Sequence, residues 1–409
     1  MTLLSVPAAQ RRIATIIKPV SAESVPLKKA LGRVLAHKIV STDLPLFDNS
    51  SVDGFAVISA DVARAGARTP SELRIVADIP AGHATNIAIQ AGEAARIMTG
   101  APMPRNADAV VMLEHTDLRQ HFDRKRLPQA VKVFRKVHPG SNIRVRGGDV
   151  RRGRIVLRPG CLLRPQEVGL LAMLGVSTVR VFRRPRVAIL ATGNELVQPD
   201  RPPRPGGIRD SNSTMLASLM LQAGCEVIRL GVARDTRPAI EERLSAAVVK
   251  RADLIVSSAG VSVGALDLVR DAIQAHGRIH FWRVNVRPGK PLAVGAYRGI
   301  PYIGLPGNPV SAFVGFELFV RPAVARLAGS RPAARRKLRV VLSEAIQSDG
   351  RESYLRALVR QQNGGYVARL TGQQGSGNLL GLVQANALLV VPAGVKSLAV
   401  GDQAEAWLL

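Results

Sequence analysis

Apolar positions recur with several textures along the 409-residue chain. Residues 8–18 and 27–34 space them helically, with GRVL closing the second run, and this predicts two helices. Residues 48–149 read as short strands broken by Gly, Pro and Asn turns, as in VADIPAGH, ARIMTGAPMP and AVVMLEHTD. A helix and a strand return over 167–181. The β-rich stretch 48–149 therefore reads as an insertion in a helical unit formed by 1–47 and 150–182. From 187 to 327 the apolar runs VAILAT, EVIRLGV and DLIVSS alternate with helical patterns starting near Ser211, Arg237 and Ala265. IPYIGL then precedes a helix from Pro309 toward Arg326. That alternation predicts a doubly wound α/β unit over 183–328, a parallel sheet with helices on both faces. Residues 336–409 carry short strands, Gly turns and no helical period, as expected of a small barrel or sandwich.

In a parallel sheet ligands bind beyond the carboxyl ends of the strands, and the informative loops all lie there. After VAIL, Thr192 and Gly193 make a turn and Glu195 follows. After EVIRLGV comes Asp235, and after DLIVSS comes a loop of small residues with Gly260, Ser262 and Gly264 before Asp267 in the next helix. IRDSNST puts Asp210 and Ser211 at a helix start, and WRVNVRPGKP adds Arg283, Arg287, Lys290 and Pro291. In IGLPGNPVSAFV, Pro306 and Gly307 shape a tight turn, Asn308 takes the N-cap position and Pro309 opens the helix. A helix start of this kind can hold an anion. Turn geometry alone is the alternative explanation for the prolines.

Composition narrows the possibilities. A hydrophobic fraction of 46% with 21% charged residues is globular. The longest apolar candidate, 168–181, is too short to span a bilayer, so no membrane is expected. The first residues lack the order of a signal peptide, which places the protein in the cytoplasm. Cys161 and Cys225 form no metal pattern and are expected to be buried structural thiols. A net charge of +27 raises nucleic-acid binding, but the arginines are scattered and only four Tyr and nine Phe could stack on bases. The densest patches, Arg183-Arg184-Pro185-Arg186 and Arg335-Arg336-Lys337, read as junctions between units. Small anions are the better use of this charge, and no nucleic-acid partner is expected. Acids are scarce, 30 against 57 basic residues, yet Glu195, Asp235 and Asp267 all fall on the crevice loops. Asp235 alone could be a turn residue. The three together suit a hard cation such as Mg²⁺ that itself holds a phosphate.

FDNSSVDGFAV, IMTGAPMP, NIRVRGGDV, ATGNEL, IRDSN, SSAGVSVG, RPGKP and LPGNPVSA, in this order, resemble the molybdopterin molybdenumtransferases, the MoeA family that includes the gephyrin E domain. The resemblance covers nearly the whole chain. It implies insertion of molybdate into adenylylated molybdopterin with release of AMP and dependence on Mg²⁺. It also implies an adenylyltransferase-like α/β unit, a C-terminal β-barrel, and a homodimer whose active site is shared across subunits. Asp53, Thr99, Glu195, Asp235 and Asp267 match catalytic positions, the first two supplied by the insertion across the dimer, with Asp149 in the same lobe. The three acids of the α/β unit match positions around nucleotide, metal and pterin. Ser262, Lys290, Pro291, Arg356 in SYLRAL and Ser376 in QGSG match a molybdate-binding group. Molybdopterin adenylyltransferase and apo-molybdoenzymes are implied partners. Two positions depart from many relatives: Arg287 stands where Lys is common, and Ala259 where a second Gly is frequent. Adenylylation itself and a gephyrin-like scaffold are the alternative functions.

Overall fold

The computed structural model describes residues 3–83, 86–120, 126–258, 265–331 and 335–409. It divides into two compact units, Lys38–Arg158 and a larger one made of Met1–His37 with Pro159–Leu409.

Lys38–Arg158 is built on a five-stranded sheet in the order Ala109–Met112, Gly54–Val57, Glu93–Ile97, Ser71–Ile79, Ala130–Val133. Its pairs are antiparallel except Ser71–Ile79 with Glu93–Ile97. Successive residues face opposite sides of a strand, so the sheet fills two cores. Phe55 and Val57 pack with Val62, Leu73 and Val111, while Ala56 packs with Ile79, Ile97 and Val110. Gly54 has no alternative at its position: an added Cβ would lie 1.9 Å from the Val111 carbonyl oxygen.

In the larger unit, the helix Val6–Ile16 starts at Ser5, whose Oγ accepts from the Ala8 N–H, and buries Val6, Ala9 and Ile13. The helix expected at 27–34 is absent. Ala22–Pro26 is instead a strand paired antiparallel with Thr178–Phe182, followed by a single tight turn, Leu27–Lys29. Gly32 at φ +72° then reverses the chain, and Leu31 stays 59% exposed. Helical spacing was present there without a surface for the apolar face to cover, and tertiary strand pairing decided the outcome. The expected helix and strand over 167–181 are found as Pro165–Met173 and Thr178–Phe182.

The central sheet has six strands in the order Glu226–Ala233, Arg186–Thr192, Leu254–Ser258, Ile300–Leu305, Pro291–Tyr297, Gly277–Arg283. The first four are parallel. The last two run antiparallel, because WRVNVRPGKP turns back as a hairpin instead of crossing over. Helices Ser211–Gln222, Arg237–Val249 and Ala265–His276 begin where the apolar pattern changes period. Val187 and Ile189 pack with Leu216 and Met220 on one face, Ala188 and Leu190 with Ile240 and Leu244 on the other.

The helix from Pro309 is not continuous. It runs Pro309–Gly315, widens into a π-helical turn over Phe316–Val320, and resumes as Arg321–Leu327. Two contacts hold the irregular turn. Gln10 Nε2 donates to the Leu318 carbonyl at 2.9 Å, and the buried Glu317 carboxylate accepts from both Arg321 and Arg335. Burial by itself would raise the Glu317 pKa, but the hydrogen bonds from Arg335 and Arg321 outweigh it and hold the carboxyl below its usual range.

The C-terminal strands close into a barrel: Glu352–Gln362, Gly365–Leu370, Lys337–Leu342, Gln403–Leu408, Ala387–Val391 and back to Glu352–Gln362. Val286–Arg287 adds to its rim beside Glu352 and Ser353. A short helix, Leu379–Val383, interrupts the expected all-strand pattern, its N-terminal amide held by the Asn378 side chain. Cys225 is buried, and burial pushes its thiol up to about 12. Cys161 is only half-buried, contrary to expectation, because it lies on the turn before Pro165–Met173. No helix among the described residues is long and apolar enough to cross a membrane.

Candidate functional site

A cavity of about 1030 Å³ opens in the larger unit where the α/β loops face the barrel. Its α/β side carries Glu195, Asp210 and Ser211, then Arg287, Lys290 and Pro291, then the turn Pro306, Gly307, Asn308 and Pro309. Arg356 and Ser376 come from the barrel side. The crevice therefore gathers twelve residues singled out from the sequence, named in the two preceding sentences, from six separate segments. Thr192, Gly193, Asp235 and Arg283 do not line it. Gly260, Ser262 and Gly264 lie outside the described residues, as does the side chain of Asp267, whose backbone sits in the first turn of Ala265–His276.

The loop after Arg186–Thr192 is tightly organised. Gly193 sits at φ +150°, and an added Cβ would fall 2.7 Å from both Glu195 carboxylate oxygens, so the missing side chain is what lets Glu195 fold over the turn. Asn194 and Asp235 bind each other reciprocally: the Asn194 N–H donates to Asp235 Oδ2 at 3.1 Å and the Asp235 N–H to Asn194 Oδ1 at 3.2 Å. This ties the ends of two adjacent parallel strands together. Asp235 Oδ1 is buried without a hydrogen-bond partner among the described residues, as are Thr192 Oγ1 and Ser258 Oγ at neighbouring strand ends. Buried polar atoms are normally paired, so such a cluster marks a place completed by something else.

Asp210 caps the helix Ser211–Gln222 through the Ser213 N–H, and Asn212 Nδ2 donates to the Gly307 carbonyl at 2.6 Å. That second bond fixes the LPGNP turn against the helix start. Asn308 occupies the N-cap position of its own helix but does not cap it. Its Nδ2 donates to Ser376 Oγ at 2.9 Å, and the Ser376 carbonyl accepts from the Val310 N–H at 3.0 Å. The barrel loop thus supplies the cap that the sequence assigned to Asn308.

Arg356 is the largest fully buried side chain, at 1% exposure. Its Nη1 donates to the Gly375 carbonyl at 2.9 Å and Nη2 to the Gln373 carbonyl at 2.7 Å. The Arg356 N–H donates to Gln374 Oε1, and Gln374 Nε2 donates back to the Arg356 carbonyl. Its Nε has no hydrogen-bond partner among the described residues, and burial moves its pKa downward. A buried guanidinium with no carboxylate beside it among the described residues is a charge awaiting an anion.

Among the described residues, Arg209, Arg287, Lys290, Arg351 and Arg356 line the cavity against Glu195 and Asp210. Arg351 also bonds Asp349, holding its carboxyl below the usual range, and donates to the Val286 carbonyl. Arg209, Arg351, Asn194, Asn212 and Gln374 were missed in the sequence. The first four sit inside or beside motifs already singled out, where the neighbouring residue drew the attention. Gln374 opens the QGSG motif in which Ser376 alone was singled out.

In Lys38–Arg158, Asp53 and Thr99 form one unit: Asp53 Oδ1 accepts from the Thr99 N–H at 2.8 Å and from Thr99 Oγ1 at 2.7 Å. Asp149 lies on an exposed turn, paired with Arg144 at 2.8 Å. Among the described residues no group of three or more His, Cys, Asp or Glu could hold a metal. Glu195 and Asp235 are described without the side chain of Asp267 expected beside them.

Three family models match the chain in order. They are the MoeA N-terminal region (domain I and II) over residues 4–175, a probable molybdopterin binding domain over 188–326, and the MoeA C-terminal region (domain IV) over 339–409. A molybdopterin molybdenumtransferase of Nostoc sp. is 41% identical over 380 residues, covering 91% of this chain and 85% of its own. Molybdopterin molybdenumtransferase 2 of Mycobacterium tuberculosis is 38% identical over 412 residues, covering 98% and 99%. The crystal structure of a molybdopterin biosynthesis MoeA protein from Pyrococcus horikoshii superposes with a TM-score of 0.84 at 32% identity, covering 100% of both chains.

Proposed function

Because the chain belongs to the MoeA family of molybdopterin molybdenumtransferases, we infer that it inserts molybdenum into molybdopterin, a step of molybdenum cofactor biosynthesis. The substrate reading is finer: molybdate enters adenylylated molybdopterin, and AMP leaves. The observation that carries this reading is the cavity between α/β loops and barrel, which among the described residues has five cations against two acids and a buried Arg356 with no carboxylate beside it. Molybdate is a tetrahedral dianion, and the substrate's phosphates add further negative charge, so one basic crevice serves both.

In this reading the chain's own residues chiefly bind and orient. Lys290 and Arg287, beside the Pro288-Gly289 turn, meet phosphate or oxyanion, and Arg356 with Ser376 meets the oxyanion from the barrel side. Asn212 and Asp210 fix the LPGNP turn and the helix start that face the pterin. The buried, unpartnered Asp235 Oδ1 and the Glu195 carboxylate are oxygen donors of the type a hard cation takes, and Asp267 is the third member of the set. Mg²⁺ held there would neutralise phosphate charge as AMP departs. Holding two reactants in register supplies much of the barrier reduction. Asp53 with Thr99, and Asp149 of the same lobe, are assigned to the site of a partner subunit in a homodimer. Adenylylation by the α/β unit alone would give the buried Arg356 of the barrel no part in the chemistry.

The test incubates purified protein with adenylylated molybdopterin, Mg²⁺ and molybdate. AMP release that depends on molybdate, with activation of an apo-molybdoenzyme, is expected. AMP release that shows no molybdate dependence would overturn the assignment.

A further inference from the structure

A second cavity of about 900 Å³ lies in the same unit and shares no lining residue with the first. It is walled by Phe182, Val324 and the turns at Gly160 and Gly329, and six arginines face it: Arg33, Arg183, Arg184, Arg321, Arg326 and Arg331. Among the described residues no Asp or Glu lines it. Its volume is within the range of small-molecule sites, about 300–1,000 Å³.

The charge there can be weighed. Arg33 is paired with Glu23, Arg183 with Asp253, and Arg321 with Glu317, so these three are compensated from behind. Arg326 Nε donates to the Ile17 carbonyl, and the side chain has no ion pair among the described residues. Arg184 and Arg331 are exposed, and neither side chain has a hydrogen bond or ion pair among the described residues. The helices Ser211–Gln222 and Arg321–Leu327 both end at this cavity, and each helix end carries about half a negative charge. Those ends account for some attraction of arginine, yet about one negative charge against three uncompensated arginines leaves a clear positive excess. The junction patch at Arg183 and Arg184, which reads from sequence as a solvated linker, is in fact one wall of a concavity.

We propose that this second cavity binds a small anion carrying two or three linked phosphates, with Arg184, Arg326 and Arg331 as its direct partners. Phe182 and Leu162 give an apolar wall that suits an attached base or ring. A singly charged anion would use the arginines poorly. The proposal does not depend on the reaction assigned to the first cavity.

Titration calorimetry with tripolyphosphate, and in parallel with pyrophosphate and adenosine triphosphate, tests it on the full chain. Saturable binding that weakens with added salt is expected for tripolyphosphate. The doubly substituted Arg184→Gln/Arg331→Gln chain should bind it about ten- to a hundred-fold more weakly, with an unchanged melting temperature and unchanged AMP release. Tighter binding of the nucleotide than of tripolyphosphate would assign the apolar wall to its base; equal binding would make the site one for inorganic phosphates. Lys290→Ala, in the first cavity, should leave tripolyphosphate binding intact. The proposal falls if tripolyphosphate does not saturate, or if its binding survives the double substitution and is lost with Lys290→Ala. It also falls if the double substitution changes the oligomeric state, which would make this face a contact between copies.

Discussion

Asn308 Nδ2 donates to Ser376 Oγ across 2.9 Å, and the Ser376 carbonyl in turn caps the Val310 N–H, so the barrel loop and the LPGNP helix start hold each other in place. This relationship explains why a barrel with its own core has a part in the chemistry of the α/β crevice. One loop of it is built into the crevice wall.

The first prediction follows from that bond. Asn308→Ala removes the donor that orients Ser376 but leaves the Ser376 carbonyl free to cap the helix. Stability should fall by only about 1 kcal/mol. If Ser376 contacts molybdate, the concentration of molybdate giving half-maximal AMP release should rise about tenfold. An unchanged molybdate dependence would separate Ser376 from the oxyanion.

Much of this was legible in the sequence where local chemistry and tertiary context agree. The helix starts at Ser211, Arg237 and Ala265 follow from apolar period and turn residues, and the structure places them there. Leu27–Val34 shows the opposite case: the spacing was helical, but the preceding strand was claimed by Thr178–Phe182, and a residue window cannot see a partner some 150 positions away. The site divides similarly. The sequence put Asp210 at a helix start, where it does cap the helix, whereas Asn308, assigned the N-cap of its own helix, was recruited by a loop far along the chain. Arg356 stood out only through the family resemblance; its burial without a carboxylate could not be read from SYLRAL.

Gly193 should tolerate nothing larger. Gly193→Ala brings a methyl group to 2.7 Å from the Glu195 carboxylate at a φ that disfavours side chains. Glu195 must then move. Activity should fall by about a hundred-fold, as expected for misplacing a positioned group by about 1 Å. Far-ultraviolet circular dichroism and the melting curve should change little, since the strand itself is intact. Activity retained with Mg²⁺ near its usual requirement would remove Glu195 from the metal set.

Glu317 ties the π-helical turn to Arg321 and Arg335, and Glu317→Gln should destabilise the chain by about 3 kcal/mol or more, because two buried-side guanidinium groups lose their counter-ion. Its folded-state pKa is lowered, so its contribution is present above the unfolded-state value and is lost as pH falls through the folded one. The wild-type chain should therefore lose stability on acidification below its unfolded-state carboxyl value, and Glu317→Gln should lose less over the same window. Parallel acid dependence of the two chains in urea titrations would contradict the clamp.

The shared-site reading of the homodimer places Asp53 and Asp267 in one site from different subunits. Asp53→Ala and Asp267→Ala should each abolish AMP release. Refolding the two together should restore about a quarter of wild-type activity at equal mixing, since half of the dimers are mixed and each has one intact site of two. No recovery on mixing, in chains that do form mixed dimers by mass spectrometry, would place both residues in one subunit's site.

Arg356 offers the sharpest separation between binding and support, because it does two things at once. Its guanidinium holds the carbonyls of Gln373 and Gly375, which shapes the loop carrying Ser376, and it supplies the one buried charge at the crevice without a carboxylate among the described residues. Arg356→Met keeps most of the volume and removes the charge, while Arg356→Lys keeps a charge and loses the fork that spans two carbonyls. If the charge holds the oxyanion, the Met chain should need about ten- to a hundred-fold more molybdate. The Lys chain should then fall between it and the wild type. Affinity for adenylylated molybdopterin should barely change in either, as the α/β loops carry that contact. If Arg356 only props the loop, Lys and Met lose the same two hydrogen bonds and should raise the molybdate requirement equally, with matching drops in melting temperature. Molybdate dependence of AMP release, measured beside melting curves for the three chains, distinguishes the two roles, and equal loss in Lys and Met would leave Arg356 a support for the loop and not a ligand of the oxyanion.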